Sequence, residues 1–367
     1  MSGASVLVAM SGGVDSSVAA AVLVDAGYEV VGVTMKMHDT PEARGAKAGC
    51  CTVADADDAK AVAARLGIDH YTLDMTAPFE RGVIDAFVSQ YAGGRTPNPC
   101  VECNRHVKFT ELIDRADRLG IDLVATGHHA RLDGHELRRG ADAAKDQSYV
   151  VACLPPAVLD RVLLPVGDMT KAEVRAAAAD LGLRTATKAE SMGVCFLGPG
   201  GVAGFLERRL PVRPGPAVTA DGDVVGTHRG AVLYTVGQRR GIDSGLNTRL
   251  YVHAVDVEAN TVVVSDAAPL AGVLAAEDPT WLSPPEAAFD ATVQTSAHGT
   301  ATPGRVGLGP PGRVTVELAE AVAAPAPGQL AVFYDGDTVV GSATITAVSG
   351  PEGAAEAIAF ADVRQET

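Results

Sequence analysis

The chain has 367 residues, with 45 acidic against 30 basic side chains and a formal net charge of −15. At roughly 100–200 residues per domain this length accommodates two or three domains, and no apolar run reaches the ~20 residues that a membrane span needs. The acidity argues against a surface built throughout for nucleic acid, so a polyanion would have to meet local basic patches such as "CNRHVKF", "LERRLPVRP" and "VGQRRG".

The elements begin with an apolar strand, "SVLVAM", and a glycine turn, "SGGVD". Next comes an alanine-rich helix over 16–26 that Gly27 ends. The strand "EVVGVTMKM", the helix "DADDAKAVAARLG" and the short strand "HYTLDM" follow. "RGVIDAFVSQYAGG" and "FTELIDRADRLG" have helical spacing, "DLVATGH" reads as a buried strand, and "KAEVRAAAADLGL" as a further helix. Strands alternating with helices predict a doubly wound, Rossmann-like α/β domain on a parallel sheet, with its ligand at the carboxyl ends of the strands. After about residue 205 the runs become short and β-rich: "GDVVGTH", "AVLYTVG", "LYVHAVDV", "NTVVVSD", then "FDATVQTS", "GRVTVELAE" and "LAVFYDGDTVVGSATITAV". They predict two small all-β modules, the last barrel-like. The expected domains are residues 1–205, 206–278 and 279–367.

The turn after the first strand matches neither common glycine-rich nucleotide signature. It still has the parts of an anion site. Gly12 and Gly13 let an anion approach the main chain, the helix start offers unpaired N–H groups, and Ser11, Ser16 and Ser17 add hydroxyls. Asp15 would repel a phosphate, so it either caps the helix or holds a Mg²⁺ that the phosphates share. The bland reading, a turn with a well-capped helix, stays open on spacing alone.

"SVLVAM" is too short for a signal peptide and runs into this loop, so a reducing cytoplasm is expected. Six cysteines there are more often reactive or metal-bound than disulfide-bonded. Cys100 and Cys103 form C-x-x-C ahead of Arg105, His106 and Lys108, and Cys195 lies in "SMGVCFLG"; nearby cations lower a thiol pKa. Cys50, Cys51 and Cys153 have no comparable setting and read as structural or incidental. A structural zinc site lacks its second ligand pair. A redox pair and a sulfur-transfer pair both remain.

The stretch "SGGVDSS" resembles the PP-loop of the ATP-pyrophosphatase superfamily. With "TPNPCVECNRHVKF", "ATGHHAR", "KDQSY", "SMGVCFLG", "YTVGQRRG" and "PGQLAVFY" in this order, the chain resembles the bacterial tRNA-specific 2-thiouridylase family along nearly its whole length. The resemblance implies replacement of the C2 oxygen of the wobble uridine by sulfur in tRNAs for lysine, glutamate and glutamine. It also implies ATP, Mg²⁺ and a persulfide from a cysteine desulfurase or sulfur-relay protein. By the same resemblance Ala9, Met10, Ser11, Gly12, Gly13, Val14, Asp15 and Ser16, with Met35 and Gly127, would hold ATP. Asn98, Pro99 and Cys100 would border the target base, and His128, Lys145, Asp146, Gln147 and Gln329 would contact tRNA. Cys195 would carry the persulfide and Cys103 would be its catalytic partner, leaving a Cys103–Cys195 disulfide.

Two departures qualify the match. Many members have an aspartate, a candidate acid/base, where this chain has Cys100. That substitution opens a second reading, in which Cys100, Cys103 and Cys195 ligate three irons of a [4Fe–4S] cluster and leave one iron open to sulfur. In the last module "TSAHG" replaces a more basic-aromatic stretch, so contacts at Ser296 and Ala297 are not expected to carry over. The competing functions are a PP-loop enzyme activating a small-molecule carbonyl, as a ligase or amidotransferase does, and a catalytically silent RNA-binding protein.

Overall fold

A computed structural model describes residues 3–38, 53–190, 193–243 and 249–350. Cys50 and Cys51 lie outside the described residues. The chain divides into two compact units. The first comprises the residues up to Ile84, Pro99–Pro199 and Asp337–Val339; the second comprises Asp85–Asn98, Gly200–Gly336 and the residues from Val340 on.

In the first unit β1 (Ser5–Ala9) leads through the glycine turn into α1 (Val14–Asp25), followed by β2 (Glu29–Lys36), α2 (Val53–Leu66) and β3 (Asp69–Asp74). Later come β4 (Leu123–Ala125), the hairpin β5 (Ala130–Asp133) and β6 (Glu136–Arg139), and β7 (Val162–Leu163). The sheet order is β3-β2-β1-β4-β7, and every pairing is parallel. Val6 and Val8 of β1 and Val18, Ala19 and Ala20 of α1 are fully buried in the same core, with Val62 and Ala63 of α2. The small side chains of α1 let it lie close on the sheet. Helices cover both faces of a parallel sheet, as the alternating pattern implies. Strand order reverses beside β1, whose neighbours are β2 and β4, and this makes a crevice at the carboxyl ends of β1 and β4.

The second unit is all β apart from short helices. β8 (Gly215–Val218), β9 (Val224–His228), β10 (Tyr251–Asp256) and β11 (Thr261–Ser265) form a sheet of order β10-β11-β8-β9. The run "AVLYTVG", expected as a strand, instead starts with a 3₁₀ turn at Ala231–Leu233; a short apolar run does not by itself fix a period. β12 (Leu270–Trp281), β13 (Phe289–Gln294), β14 (Thr302–Leu308), β15 (Arg313–Ala323), β16 (Leu330–Asp335) and β17 (Thr338–Ser349) run in the order β12-β15-β14-β13-β16-β17. β12 also pairs antiparallel with β17, from Val273↔Ser349 to Trp281↔Gly341, and so closes a six-stranded barrel. Leu274, Val293, Val306, Val316, Phe333 and Ile345 fill it.

Candidate active site

At the crevice the loop after β1 faces the loop after β4. Gly12 takes φ +73°, and a Cβ there would stand 2.1 Å from the Asp55 carbonyl oxygen, so only glycine fits. Gly127 closes the other side: a Cβ on it would lie 2.5 Å from the Ser16 nitrogen. Any larger residue at 127 would displace the first turn of α1. Gly13 is the N-cap of that helix and supplies no side-chain acceptor. Asp15 therefore does not cap the helix. The Ser16 and Ser17 hydroxyls turn back to donate to the Gly13 carbonyl at 3.2 and 2.7 Å, which leaves the helix start suited to an external anion.

Asp15 is instead held from two sides. Lys171 Nζ lies 2.7 and 2.8 Å from its two carboxylate oxygens, and His129 Nε2 is 3.0 Å from Oδ1. Burial works against ionisation of Asp15, but His129 and Lys171 outweigh it and hold the carboxyl below its usual range. Lys171 is the first residue of the helix Lys171–Asp180, whose N-terminus is fixed by a reciprocal capping box between Thr170 and Glu173. A second clamp sits under the loop. Lys188 donates to the Gly12 carbonyl at 2.9 Å and to Asp55 and Asp58 at 2.6 Å each. Burial alone would lower the Lys188 pKa, but the two carboxylates raise it, so it stays charged.

The stretch 145–147 reaches the same place from behind. Gln147 exchanges two hydrogen bonds with the His129 backbone, at 2.9 and 2.8 Å. Asp146 accepts from the Gly140 and Ser148 amides, the Ser148 hydroxyl and Arg139. Lys145 pairs with Glu190 at 2.8 Å, and Glu190 also meets Lys171 at 3.1 Å. Of the adjacent histidines, His129 is the one that touches Asp15. His128 bonds Thr126 at 2.7 Å and stacks on Phe109, with Lys108 Nζ 3.5 Å away.

Met10 and Val14 are core residues, 1% and 4% exposed. The Met10 carbonyl accepts from Thr34 and its N–H donates to Val33, which anchors the loop to β2. Ala9 ends β1, and Met35 is buried near the end of β2. Asn98 and Gln329 belong to the second unit, where Gln329 donates to the Thr96 carbonyl at 2.6 Å.

Cys100 and Cys103 lie on the short helix Pro99–Cys103, which continues as a π-helical turn over Asn104–Lys108. Cys100 is exposed; Cys103 and Cys195 are partly buried. Asn104 anchors this region by donating to the Val150 carbonyl at 2.8 Å. Cys195 precedes Phe196, which is fully buried edge-on to Phe79, with ring centroids 5.8 Å apart. Residues 80–84, immediately after Phe79, form another π-helical turn. A methyl on Gly82 would stand 3.2 Å from Val107 Cγ2, beyond Cys103. One segment, 79–84, thus packs beside both cysteine sites. The Cys103 helix also runs on to Lys108 and Phe109, against His128 and hence next to Gly127. Cys153 is different: burial pushes its thiol up to about 12, and its sulfur lies 3.6 Å from the Val101 and Val150 carbonyls, a structural setting.

Residues 4–199 match a family model described as a tRNA methyl transferase HUP domain. Residues 203–266 match a tRNA methyl transferase PRC-barrel domain, and 271–345 an aminomethyltransferase beta-barrel domain. The chain is 48% identical to the tRNA-specific 2-thiouridylase MnmA of Thermobifida fusca over 95% of this chain and 98% of that one. The chain belongs to the tRNA-specific 2-thiouridylase family. Other members of the same name are 47% identical in Acidothermus cellulolyticus, over 93% of this chain and 97% of the other, and 46% identical in Beutenbergia cavernae, over 98% of both. Membership of the 2-thiouridylase family makes the chain a tRNA sulfurtransferase.

Among the described residues no three His, Cys, Asp or Glu side chains are grouped so as to hold a metal ion. Cys100, Cys103 and Cys195 are thus not grouped as the ligands of a single metal ion. Mg²⁺ makes a smaller demand, since one carboxylate and the phosphates of a nucleotide commonly hold it; the carboxylate at the start of α1 is Asp15, whose oxygens here meet Lys171 and His129. Sequence reasoning passed over His129, Lys171, Lys188 and Glu190. Lys171 did carry a signal: a cation at a helix N-terminus opposes the dipole, and so implies a carboxylate placed elsewhere to receive it.

Proposed function

We propose that this chain uses ATP to replace the C2 oxygen of the wobble uridine by sulfur in tRNAs for lysine, glutamate and glutamine. The supporting observation is the continuity between the loop and the cysteines: the helix carrying Cys103 packs through Phe109 onto His128, beside the Gly127 that seats the start of α1. Family membership supports the tRNA substrate and the use of ATP.

In this reading residues 9–16, Met35 and Gly127 hold ATP. The uridine C2 oxygen attacks the α-phosphorus, the bond to the β-phosphate oxygen breaks, and pyrophosphate leaves toward the α1 N-terminus. Lys171 keeps Asp15 ionised, and Mg²⁺ on Asp15 would balance charge on the departing pyrophosphate. The adenylated oxygen is then a competent leaving group. Cys195 arrives as a persulfide loaded by a cysteine desulfurase or sulfur-relay protein. Its terminal sulfur attacks C2, and AMP departs with the oxygen. The Cys103 thiolate attacks the Cys195 sulfur, the S–S bond breaks, and the terminal sulfur stays on the base. The product disulfide Cys103–Cys195 is reduced by an external thiol. No step passes through a cluster.

Asn98, Pro99 and Cys100 border the base in this account, and His128 and Gln329 meet the tRNA; Lys145, a further tRNA candidate by resemblance, is held by Glu190 beside Lys171. Asp146 and Gln147 serve by shaping the backbone at Gly140 and His129. The working modules are 1–205 for chemistry and 206–278 and 279–367 for the tRNA, in the cytoplasm. Labelled persulfide donor tests the cysteine roles. Neither Cys103→Ser nor Cys195→Ser thiolates tRNA, but Cys103→Ser retains label on Cys195 while Cys195→Ser retains none. Thiolation by Cys195→Ser overturns the assignment. Cys100→Asp keeps activity without iron; iron in the anaerobic wild type, lost with activity in this variant, restores the cluster.

A further inference from the structure

The ATP reading leaves Glu190 without a task, although it occupies the centre of the charged group at the loop. Its two carboxylate oxygens are divided between two lysines: Oε2 to Lys145 Nζ at 2.8 Å and Oε1 to Lys171 Nζ at 3.1 Å, with Arg175 at 3.9 Å. Lys171 is the same cation that grips Asp15 inside the PP-loop. Lys145 is the least buried of the pair, 38% exposed against 12% for Lys171. The arrangement holds Lys171 on Asp15 in the first turn of α1 and places the Glu190 carboxylate between Lys171 and Lys145. The other basic group at the loop, Lys188, is already committed to the Gly12 carbonyl, Asp55 and Asp58, and Arg175 donates to the Ala186 and Lys188 carbonyls. Glu190 is thus the carboxylate that Lys145 and Lys171 share, and Lys171 keeps Asp15 when Glu190 leaves.

We propose that Glu190 is a resident competitor for the polyphosphate: its carboxylate neutralises Lys145 and Lys171 until the phosphates of ATP take its place, and it returns to them as pyrophosphate leaves. This rests on the ATP reading above. A carboxylate and a phosphate oxygen offer an ammonium the same kind of acceptor, so the exchange conserves the lysines' hydrogen bonds while the polyanion gains their charge. Lys145 and Lys171 hold Glu190 below the usual carboxylate range, which keeps the competitor charged at neutral pH. The device has a use in turnover. Without Glu190, Lys145 and a Lys171 neutralised by Asp15 alone would hold pyrophosphate, the more highly charged product, more tightly, and Glu190 offsets that retention.

The test uses the full chain and two probes, α,β-methylene-ATP with Mg²⁺, which cannot be cleaved at the α–β bridge, and inorganic pyrophosphate. Removing a competing charge that is partly exposed should tighten both by about twofold to fivefold in Glu190→Gln. In tRNA-dependent turnover KM for ATP falls by a similar factor while kcat does not rise. Glu190→Ala repeats the measurement without a side-chain amide. A purely structural Glu190, one that only positions the lysines, gives the opposite sign: both variants bind both probes more weakly. Unchanged or weaker binding in the variants, with normal binding in the wild type, overturns the proposal and leaves the ATP reading standing. A wild type that binds neither probe overturns both.

Discussion

The rim of the parallel sheet and the interior of the C-terminal barrel are held together by different forces. At the rim, Asp15, Lys171, Glu190, Lys188, Asp55 and Asp58 fix one another by ion pairs, and two glycines admit the close approach of backbone. In the barrel, Trp281 stacks on Phe333 at 5.7 Å with Phe289 edge-on to both, among aliphatic side chains. Partly exposed ion pairs contribute little to stability, whereas buried aromatic rings contribute much. Chemistry and stability should therefore separate by region. Substitutions at the rim should cost activity with little loss of folding, and substitutions in the barrel should do the reverse.

The largest effect expected is at Asp15. Asp15→Ala removes the carboxylate proposed for Mg²⁺ and leaves Lys171 with Glu190 alone. Thiolation should fall by at least about a hundredfold, in the range found when a preorganised electrostatic group is deleted, while tRNA binding stays within a few-fold. Near-wild-type thiolation would take Asp15 out of the mechanism. Next is Phe333→Ala, which opens a cavity under Trp281 and should cost about 3–5 kcal/mol of stability. Trp281 is the single tryptophan of the chain, so its fluorescence during denaturation reads this directly. Nucleotide affinity should be unchanged, and a large change in it would erase the regional contrast. The smallest effect is at Lys188. Lys188→Met removes the cation that Asp55 and Asp58 share beneath Gly12, leaving Asp58 with Arg184, and should weaken nucleotide binding about threefold to tenfold, with a stability change of about 1–2 kcal/mol. A change in stability alone would make Lys188 a fold residue.

The sequence made the loop at the rim and the barrel-like last module legible, and left two barrel strands and the distant partners at the rim illegible, for physical reasons. The apolar run of β1, the two glycines and the small-residue helix α1 announce a strand, a tight turn and a close-packed helix, and all three are found. β12 was hidden because Pro279 sits inside it, beside Asp278 at φ +52° and a register shift between Glu277 and Thr280. β14, "TPGRVGL", carries a proline and two glycines and resembles a loop. β7 has only two residues, too few to show any period. The hairpin β5–β6 alternates charged with apolar side chains, and its one clear sign was the Asp133–Gly134 turn. At the site, motif spacing drew attention to residues near the loop in sequence. Lys171 and Glu190 reach Asp15 and Lys171 through the fold, and no spacing announces a partner that distant.

Pyrophosphate release measured together with 2-thiouridine, on unmodified tRNA with a persulfide donor, tests the central claim most directly. The account predicts that ATP yields AMP and pyrophosphate only when tRNA is present, one pyrophosphate for each 2-thiouridine formed. Pyrophosphate released without tRNA and without thiolation, or ADP as the product, would contradict it.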